Sequence, residues 1–577
     1  LNSGLETFLP FTFLLLLKML PMKTGEQIKR LGEIQFRFDK KSSDEKSVLI
    51  EKLDKAVFEN CEDIIAFHNR LLCIMAFADN QKVFDAADKV LKNLAAKTET
   101  FLETANDTEI WKLTESAIAN TTIRASFSYE MVKWLMENFS DDIEYYSCDA
   151  SKEAVGYVFK QILPPAVGEA VFDNHERTLD ELVKKIAGKE TEILPWVIKQ
   201  FETSALNDKS KEQLFEQLLI YINWKTNPSS PTTFARVDSG KKFFFTGHDL
   251  IHHADMKKIF ADKKLKPVEL NVSQKKYLCD VAKGVLCSHY REIDPITYSE
   301  TSDTELYDMG RGITIALYYM RPSWRLSCES YVSYMAFRNG IPVSYGGGWL
   351  FFDRTKLAGN VFPAFRGGES AYLFANLYRL YHLRFGVNCF QVDPYQIGER
   401  NNDAIASGAF WFYHRLGFRP NNEKLLQLAE EEEAKRNADK KYRSPAHVLR
   451  KFTHAEMILN LSPAIHLSHQ QVLQKMEEQV VKDFGGNFTA YFEVCFSELQ
   501  KVCKKHKVKL PENIPCNALA MELCGIISVF CRFSKLSKPD LKKLAAALAQ
   551  KASGSEAGFI KHFSRITHLK KALYKIS

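Results

Sequence analysis

The dipeptide Asn339-Gly340 narrows the fold more than any other feature of this chain. It joins two runs rich in aromatic and β-branched residues, 331–338 and 341–345. A two-residue type I′ turn needs positive φ at both central positions, which Asn and Gly tolerate, so the spacing predicts a β-hairpin. Gly346-Gly347-Gly348 follows and predicts a bulge or a close backbone approach. Residues 349–352 and 360–365 read as further strands, 371–385 as a helix and 387–392 as another strand. Strand and helix patterns alternate here and nowhere else in the chain.

The flanks read as helix. Between 24 and about 222, Val83, Phe84, Ala87, Val90, Leu91 and Leu94 recur at threes and fours, which lines one helical face. Ser42 with Glu45 forms a capping pattern before the apolar run 48–53. Segments 109–118, 153–162 and 214–222 look similar, with no fixed repeat period. Asn227-Pro228-Ser229-Ser230-Pro231 marks a boundary. Past it, Phe243-Phe244-Phe245 leaves room for a short strand before helix resumes through Tyr290 and stops at Asp294-Pro295. Beyond Pro420 the pattern is helical again. Ser468 with Gln471 caps one helix, and Ser537 with Pro539 opens another that carries Leu541, Leu544 and Leu548 on one side.

A chain of 577 residues is too long for one core. The fold class expected is α+β, a central mixed α/β sheet domain flanked by mainly helical N- and C-terminal regions. The expected divisions are a leader or mis-set start at 1–21, a helical domain at 22–226, a mainly helical connection at 227–300, the sheet domain at 301–422 and a helical region at 423–577. Residues 8–17 are nearly all apolar but contain Pro10, meet Lys18 at once and are too short to span a bilayer. A signal peptide would carry positive charge before its apolar core, whereas Glu6 is the charged residue there, and Met22-Lys23-Thr24 reads as a natural start. No stable membrane association is therefore expected.

A net charge of +7 is small for this length, and no nucleic-acid signature accompanies it, so no nucleic-acid partner is expected. Twelve cysteines without a C-x-x-C pair, many among apolar neighbours, read as reduced thiols of a cytoplasmic protein. Gly247–Asp255 carries His248, His252 and Asp255. If helical, the two histidines would share a face, but zinc proteases of that spacing place Glu after the first His and Asp249 stands here. No metal is assigned.

Chemistry concentrates in the turn Arg366-Gly367-Gly368-Glu369-Ser370-Ala371 and in the helix Ala409-Phe410-Trp411-Phe412-Tyr413-His414-Arg415-Leu416-Gly417-Phe418. A glycine turn that opens a helix offers free N–H groups to an anion. With the strand at Phe390-Gln391-Val392 between them, these segments resemble the GNAT superfamily of N-acetyltransferases over roughly residues 331–420. The whole chain also resembles bacterial proteins that carry such a module between helical regions. The resemblance implies direct transfer of an acyl group from acetyl-CoA or another acyl-CoA to a small-molecule or peptide amine. It places the CoA diphosphate on Arg366, Gly367, Gly368, Ser370 and Ala371, and it makes Tyr413 the donor of a proton to the leaving thiolate. Glu369 stands where the motif has glycine, and it is a candidate base with Asp353, Asp393 and His382. The motif's Asn falls at Ala406, and Asn402 is the nearest candidate for it. The alternative is a non-catalytic, partner-binding module with helical arms, a reading that Glu369 favours because a carboxylate repels a diphosphate unless it is turned away.

Overall fold

The computed structural model describes residues 23–114, 116–173, 175–247, 250–462 and 469–574. The expected leader at 1–21, His248, Asp249 and the capping Ser468 lie outside the described residues. The chain forms two compact units, Leu1–Thr121 with Phe245–Leu250, and Thr122–Phe244 with Ile251–Ser577.

In the first unit the described elements are helices: α1 (Thr24–Ile34), α2 (Lys40–Asp54), α3 (Cys61–Ala76), α4 (Gln81–Leu102) and α5 (Asp107–Leu113). Val83, Ala87, Val90, Leu91 and Leu94 of α4 are buried, as their spacing requires, and Phe84 is half-buried. α2 starts earlier than the Ser42–Glu45 pattern predicts. Asp39 caps it, accepting from the Ser42 N–H at 3.0 Å, because a carboxylate at the positive end of a helix is a stronger acceptor than a serine hydroxyl. Lys46 and Asp79 form a buried ion pair at 2.7 Å, with the Ser43 hydroxyl also donating to Asp79. Thr246 N–H donates to the Ala78 carbonyl at 2.7 Å and ties the returning segment to the helices.

The first division therefore falls at Thr121 and not at 226. Residues expected to be helical throughout instead carry a three-stranded antiparallel sheet of β1 (Thr122–Ala125), β2 (Ile143–Cys148) and β3 (Ile220–Lys225), in the order β1-β3-β2. Ile220, Ile222 and Trp224 of β3 are buried and alternate with less buried residues. That period-two signal lasts six residues and directly follows the helix Asp208–Gln217, whose pattern masks it. Trp224 packs into a core shared with Met131, Trp134 and Leu135 of α6 (Tyr129–Phe139) and with Leu214 and Phe215. The connection is also corrected: among the described residues 226–255 form neither helix nor strand, and helix resumes at Met256–Ala261 and α7 (Val272–Ser288).

A second, mixed sheet has eight strands: β4 (Glu305–Gly310), β5 (Ile313–Tyr319), β6 (Ser330–Arg338), β7 (Ile341–Phe351), β8 (Arg354–Val361), β9 (Cys389–Val392), β10 (Arg419–Pro420) and β11 (Met457–Asn460). Their order is β10-β11-β9-β8-β7-β6-β5-β4, so β11 inserts between β9 and β10 and carries the sheet past the expected boundary at 422. The hairpin forms at Asn339 (φ 50°) and Gly340 (φ 79°). The three glycines lie inside one continuous strand, β7, where a Cβ on Gly346 would stand 2.2 Å from the Ala358 carbonyl oxygen. Close approach, not a bulge, is their reason. The predicted strand at 360–365 ends at Val361, and Pro363–Phe365 forms a short 3₁₀ turn.

Every neighbouring pair in this sheet is antiparallel except β8 and β9, the pair connected by α8 (Ser370–Phe385). α8 covers one face: the Tyr381 hydroxyl donates to the Val332 carbonyl at 2.8 Å. α9 (Ala409–Arg415) joins it there through a Phe374–Phe412 edge contact at 5.4 Å. α7 lies on the opposite face, where the Tyr318 hydroxyl donates to the Leu278 carbonyl at 3.1 Å. In the C-terminal region, Ser537 caps Lys538–Ser553, which buries Leu541, Leu544 and Leu548. Among the described residues no helix is long and apolar enough to cross a membrane. The molecule is thus α+β, a mixed eight-stranded sheet with helical flanks along the chain.

Candidate functional site

The parallel seam of the large sheet comes apart. β8 and β9 pair at Arg354–Cys389, Thr355–Phe390 and Lys356–Gln391, and pairing stops there. β8 nevertheless continues to Val361, still paired with β7 as far as Ser344. Among the described residues, 357–361 therefore have no neighbour strand on the β9 side, which leaves an extended edge with main-chain donors and acceptors. Asp393-Pro394 ends β9, because proline cannot donate to a ladder and its φ suits the first turn of a helix, here Pro394–Ile397.

From the open end of β8 the chain passes through Pro363–Phe365 into the 366–369 turn and α8. Gly367 takes φ +85°, a region that favours glycine. Gly368 N–H donates to the Phe365 carbonyl at 3.2 Å. Among the described residues no acceptor meets the N–H groups of Gly367, Glu369, Ser370, Ala371 or Tyr372. Free amides at a helix start, reinforced by the helix dipole, suit an anion.

Glu369 is turned out of this cradle. Its side chain is 2% exposed, and its Oε2 accepts from Arg338 Nη1 at 2.7 Å. Oε1 accepts from the Ile251 N–H at 3.1 Å and from the Arg311 guanidinium. The Phe244 ring lies 4.9 Å from the Arg311 guanidinium and 5.0 Å from that of Arg338. Three donors occupy the two carboxylate oxygens, so the expected role of Glu369 as a catalytic base is replaced by that of a buried counter-ion.

Tyr413 stands where the two strands part. Its ring is 4% exposed and meets Phe418 edge-on at 5.6 Å. The hydroxyl makes a long 3.5 Å contact to Gln396 Oε1, just past the end of β9. It is also within electrostatic reach of the Tyr334 hydroxyl, which lies against Gly359 of β8. Burial pushes the Tyr413 phenol well above its ordinary value, so it stays protonated.

The remaining expected residues divide. Arg366, Ser370 and Ala371 are at least partly exposed along the turn. Asn402 is not brought to it: the side chain is exposed and Oδ1 accepts from Arg450 Nη2 at 3.1 Å. Asp353 is buried and paired with Lys570. The His382 ring nitrogen Nδ1 meets the Val387 carbonyl at 2.8 Å, near the C-terminus of α8. Asp393 alone of the four base candidates stands at the seam, with Lys356 Nζ at 2.6 Å from Oδ2. Burial raises its carboxyl, but Lys356 more than offsets this and holds it below the usual value.

The histidine segment is not helical where it is described. Residues 250–255 precede the helix Met256–Ala261, which Asp255 caps, and His252 is exposed. Among the described residues the metal-like grouping is Cys61, Glu62 and Glu109. Lys112 Nζ sits 2.5 Å from Glu62 and 3.7 Å from Glu109, and burial, followed by the two carboxylates, pushes the Cys61 thiol up to about 12.

Sequence reasoning missed the seam and the guanidinium pair that holds Glu369. A signal for the pair was present: Arg338 and Arg311 each end a strand or turn directly beside a glycine-bearing hairpin, in stretches otherwise made for burial. No family model, curated protein or solved structure matches the chain. Its site stands on its own geometry.

Proposed function

We propose that this chain is an acyl-CoA-dependent transferase that passes an acyl group to an amine, on a module of N-acetyltransferase type. The observation that carries this reading is the seam, where β8 outruns β9 at 357–361 and the chain then turns through the amides of Gly367, Glu369, Ser370, Ala371 and Tyr372, which no acceptor meets among the described residues. The amide-bearing arm of an acyl-CoA can bond along such an edge as an added strand would, with its diphosphate on the amides. The order turn, α8, β9, α9, β10 supports the reading, as does a Glu369 neutralised by two guanidiniums.

In the reaction, the amine nitrogen attacks the thioester carbonyl, the new C–N bond forms and the C–S bond breaks. Tyr413 gives its proton to the leaving sulfur. The dry surroundings that keep the phenol protonated also make the sulfur more basic as its charge develops. The amine's surplus proton leaves to water at the open seam, beside Asp393, and water returns a proton to the Tyr413 phenolate, which restores it for the next turn.

Thermal unfolding with acetyl-CoA and with longer thioesters tests the reading. Protection by at least one of them, accompanied by release of free CoA in the presence of an amine, is the expected result. The absence of any shift across the panel removes the transferase reading. Protection without turnover on any amine would favour the non-catalytic module.

A further inference from the structure

The seam opens on both faces of the sheet, and α8 with α9 covers one of them. A Cβ on Gly346 would meet the Tyr334 ring on that covered side, so the neighbouring Tyr345 points to the other. Tyr345 lies in register with Asn360, at the level where β8 has outrun β9. Its ring packs on Phe362 at 5.1 Å, and Phe362 stacks on His289 at 4.8 Å. This row of rings brings Arg291, two residues beyond His289, beside the Tyr345 hydroxyl, with Arg366 and Tyr395 close by. Arg291, Arg366 and Asn360 are exposed, and Tyr395 is 52% exposed.

Neither guanidinium meets a carboxylate among the described residues; Arg291 Nη1 donates to the adjoining Tyr290 carbonyl at 3.3 Å, and the Arg291 guanidinium meets the Tyr345 hydroxyl. At this end of the seam Asp393 and Glu456 share Lys356, at 2.6 and 3.2 Å. The mouth on this side is half-walled by aromatic rings and supplied with two planar guanidinium donors that match carboxylate or phosphate oxygens. Burial raises the Tyr345 phenol, which keeps it a donor. Since the other face is closed by α8 and α9, an amine reaches a thioester in the seam from this side.

We infer that the acceptor is an amine that also carries an anionic group, a carboxylate or a phosphate, which Arg291 and Arg366 grip while the Tyr345 hydroxyl orients it. This rests on the transferase reading. The Arg366 side chain then serves the acceptor, and the turn's backbone amides alone serve the diphosphate of the donor.

Matched amines test the inference on the full chain saturated with acetyl-CoA: phosphoethanolamine against ethanolamine, and β-alanine against 3-aminopropanol. Thermal shift and release of free CoA are both read. The anionic member of at least one pair should add protection and turn over faster than its neutral partner, and whichever pair responds tells phosphate from carboxylate. Arg291→Ala, an exposed substitution, should weaken binding of that amine about tenfold or more, the size of one charge-assisted hydrogen bond. Tyr345→Phe, which keeps the ring, should weaken it less. Equal behaviour within both pairs, or discrimination that survives Arg291→Ala, overturns the inference while acetyl-CoA protection still stands. Loss of acetyl-CoA protection in the parent protein removes the transferase reading itself.

Discussion

The Thr122–Phe244 and Ile251–Ser577 unit holds two sheets that treat their edges differently. In the small one, each residue of β1 has a partner in β3, and β2 follows β3 from Ile143–Trp224 to Cys148–Ile220 with one irregularity. In the large one, the parallel seam gives up after three residue pairs, and among the described residues no strand pairs with the rest of β8 on that side. The small sheet keeps its strands paired from end to end, whereas the large one parts inside a strand pair at one place. Where pairing stops inside a sheet, as at an outer edge, main-chain donors and acceptors are left for a guest to use.

The two largest expected effects set one sheet against the other. Trp224→Ala empties a fully buried site in the small sheet and should cost about 3–5 kcal/mol in chemical denaturation. It should leave the acetyl-CoA shift of the remaining folded protein unchanged. Glu369→Ala strips the counter-ion from Arg338 and should cost about 3–5 kcal/mol as well, but here acetyl-CoA protection falls with it. A Glu369→Gln variant with full stability and no turnover would show that the carboxylate is a base after all, and would erase the contrast.

Next in size is Tyr413→Phe, which should slow turnover about a hundredfold and leave acetyl-CoA protection largely intact. Loss of protection instead would make Tyr413 a packing residue of the seam.

The smallest effect is one of opposite signs. Glu212, beside the small sheet, accepts the N–H groups of Tyr129 and Glu130 at 2.8 Å, and burial pushes its carboxyl up to about 7. Its contribution is fully present below about pH 4.5, the ordinary glutamate value, and is lost as pH rises to about 7. His414, next to Tyr413, is driven down to about 4 by burial and by the guanidiniums of Arg419, Arg436 and Arg415. Its contribution is complete above about pH 6.5 and is lost as pH falls towards 4. Hydrogen-exchange protection, taken relative to the intrinsic exchange rate at each pH, should therefore rise around α9 and fall around α6 when pH is raised from 5 to 7. A common direction in both places would break the comparison.

Legibility in the sequence followed the range of the interactions. The 339–340 turn was readable because its φ values depend on two adjacent residues, and α8 because sixteen residues repeat one pattern. β4 and β5 were not read: β5 is buried at every position, so no alternation marks it as strand. Strand β11, four residues long, carries too little pattern to be seen. At the site, sequence marked the turn and Tyr413, but the orientation of Glu369 depends on partners 31 and 58 residues earlier in the chain. The early end of the seam depends on register between strands separated by α8, and no local spacing encodes that.

Strand β11 also sets a schedule for synthesis. A ribosome releases β9 and the Tyr413 helix well before it releases Met457, yet β9 meets its second neighbour only when that residue arrives. Until then the outer side of β9 is an unpaired strand edge, which the four residue pairs with β11 later close.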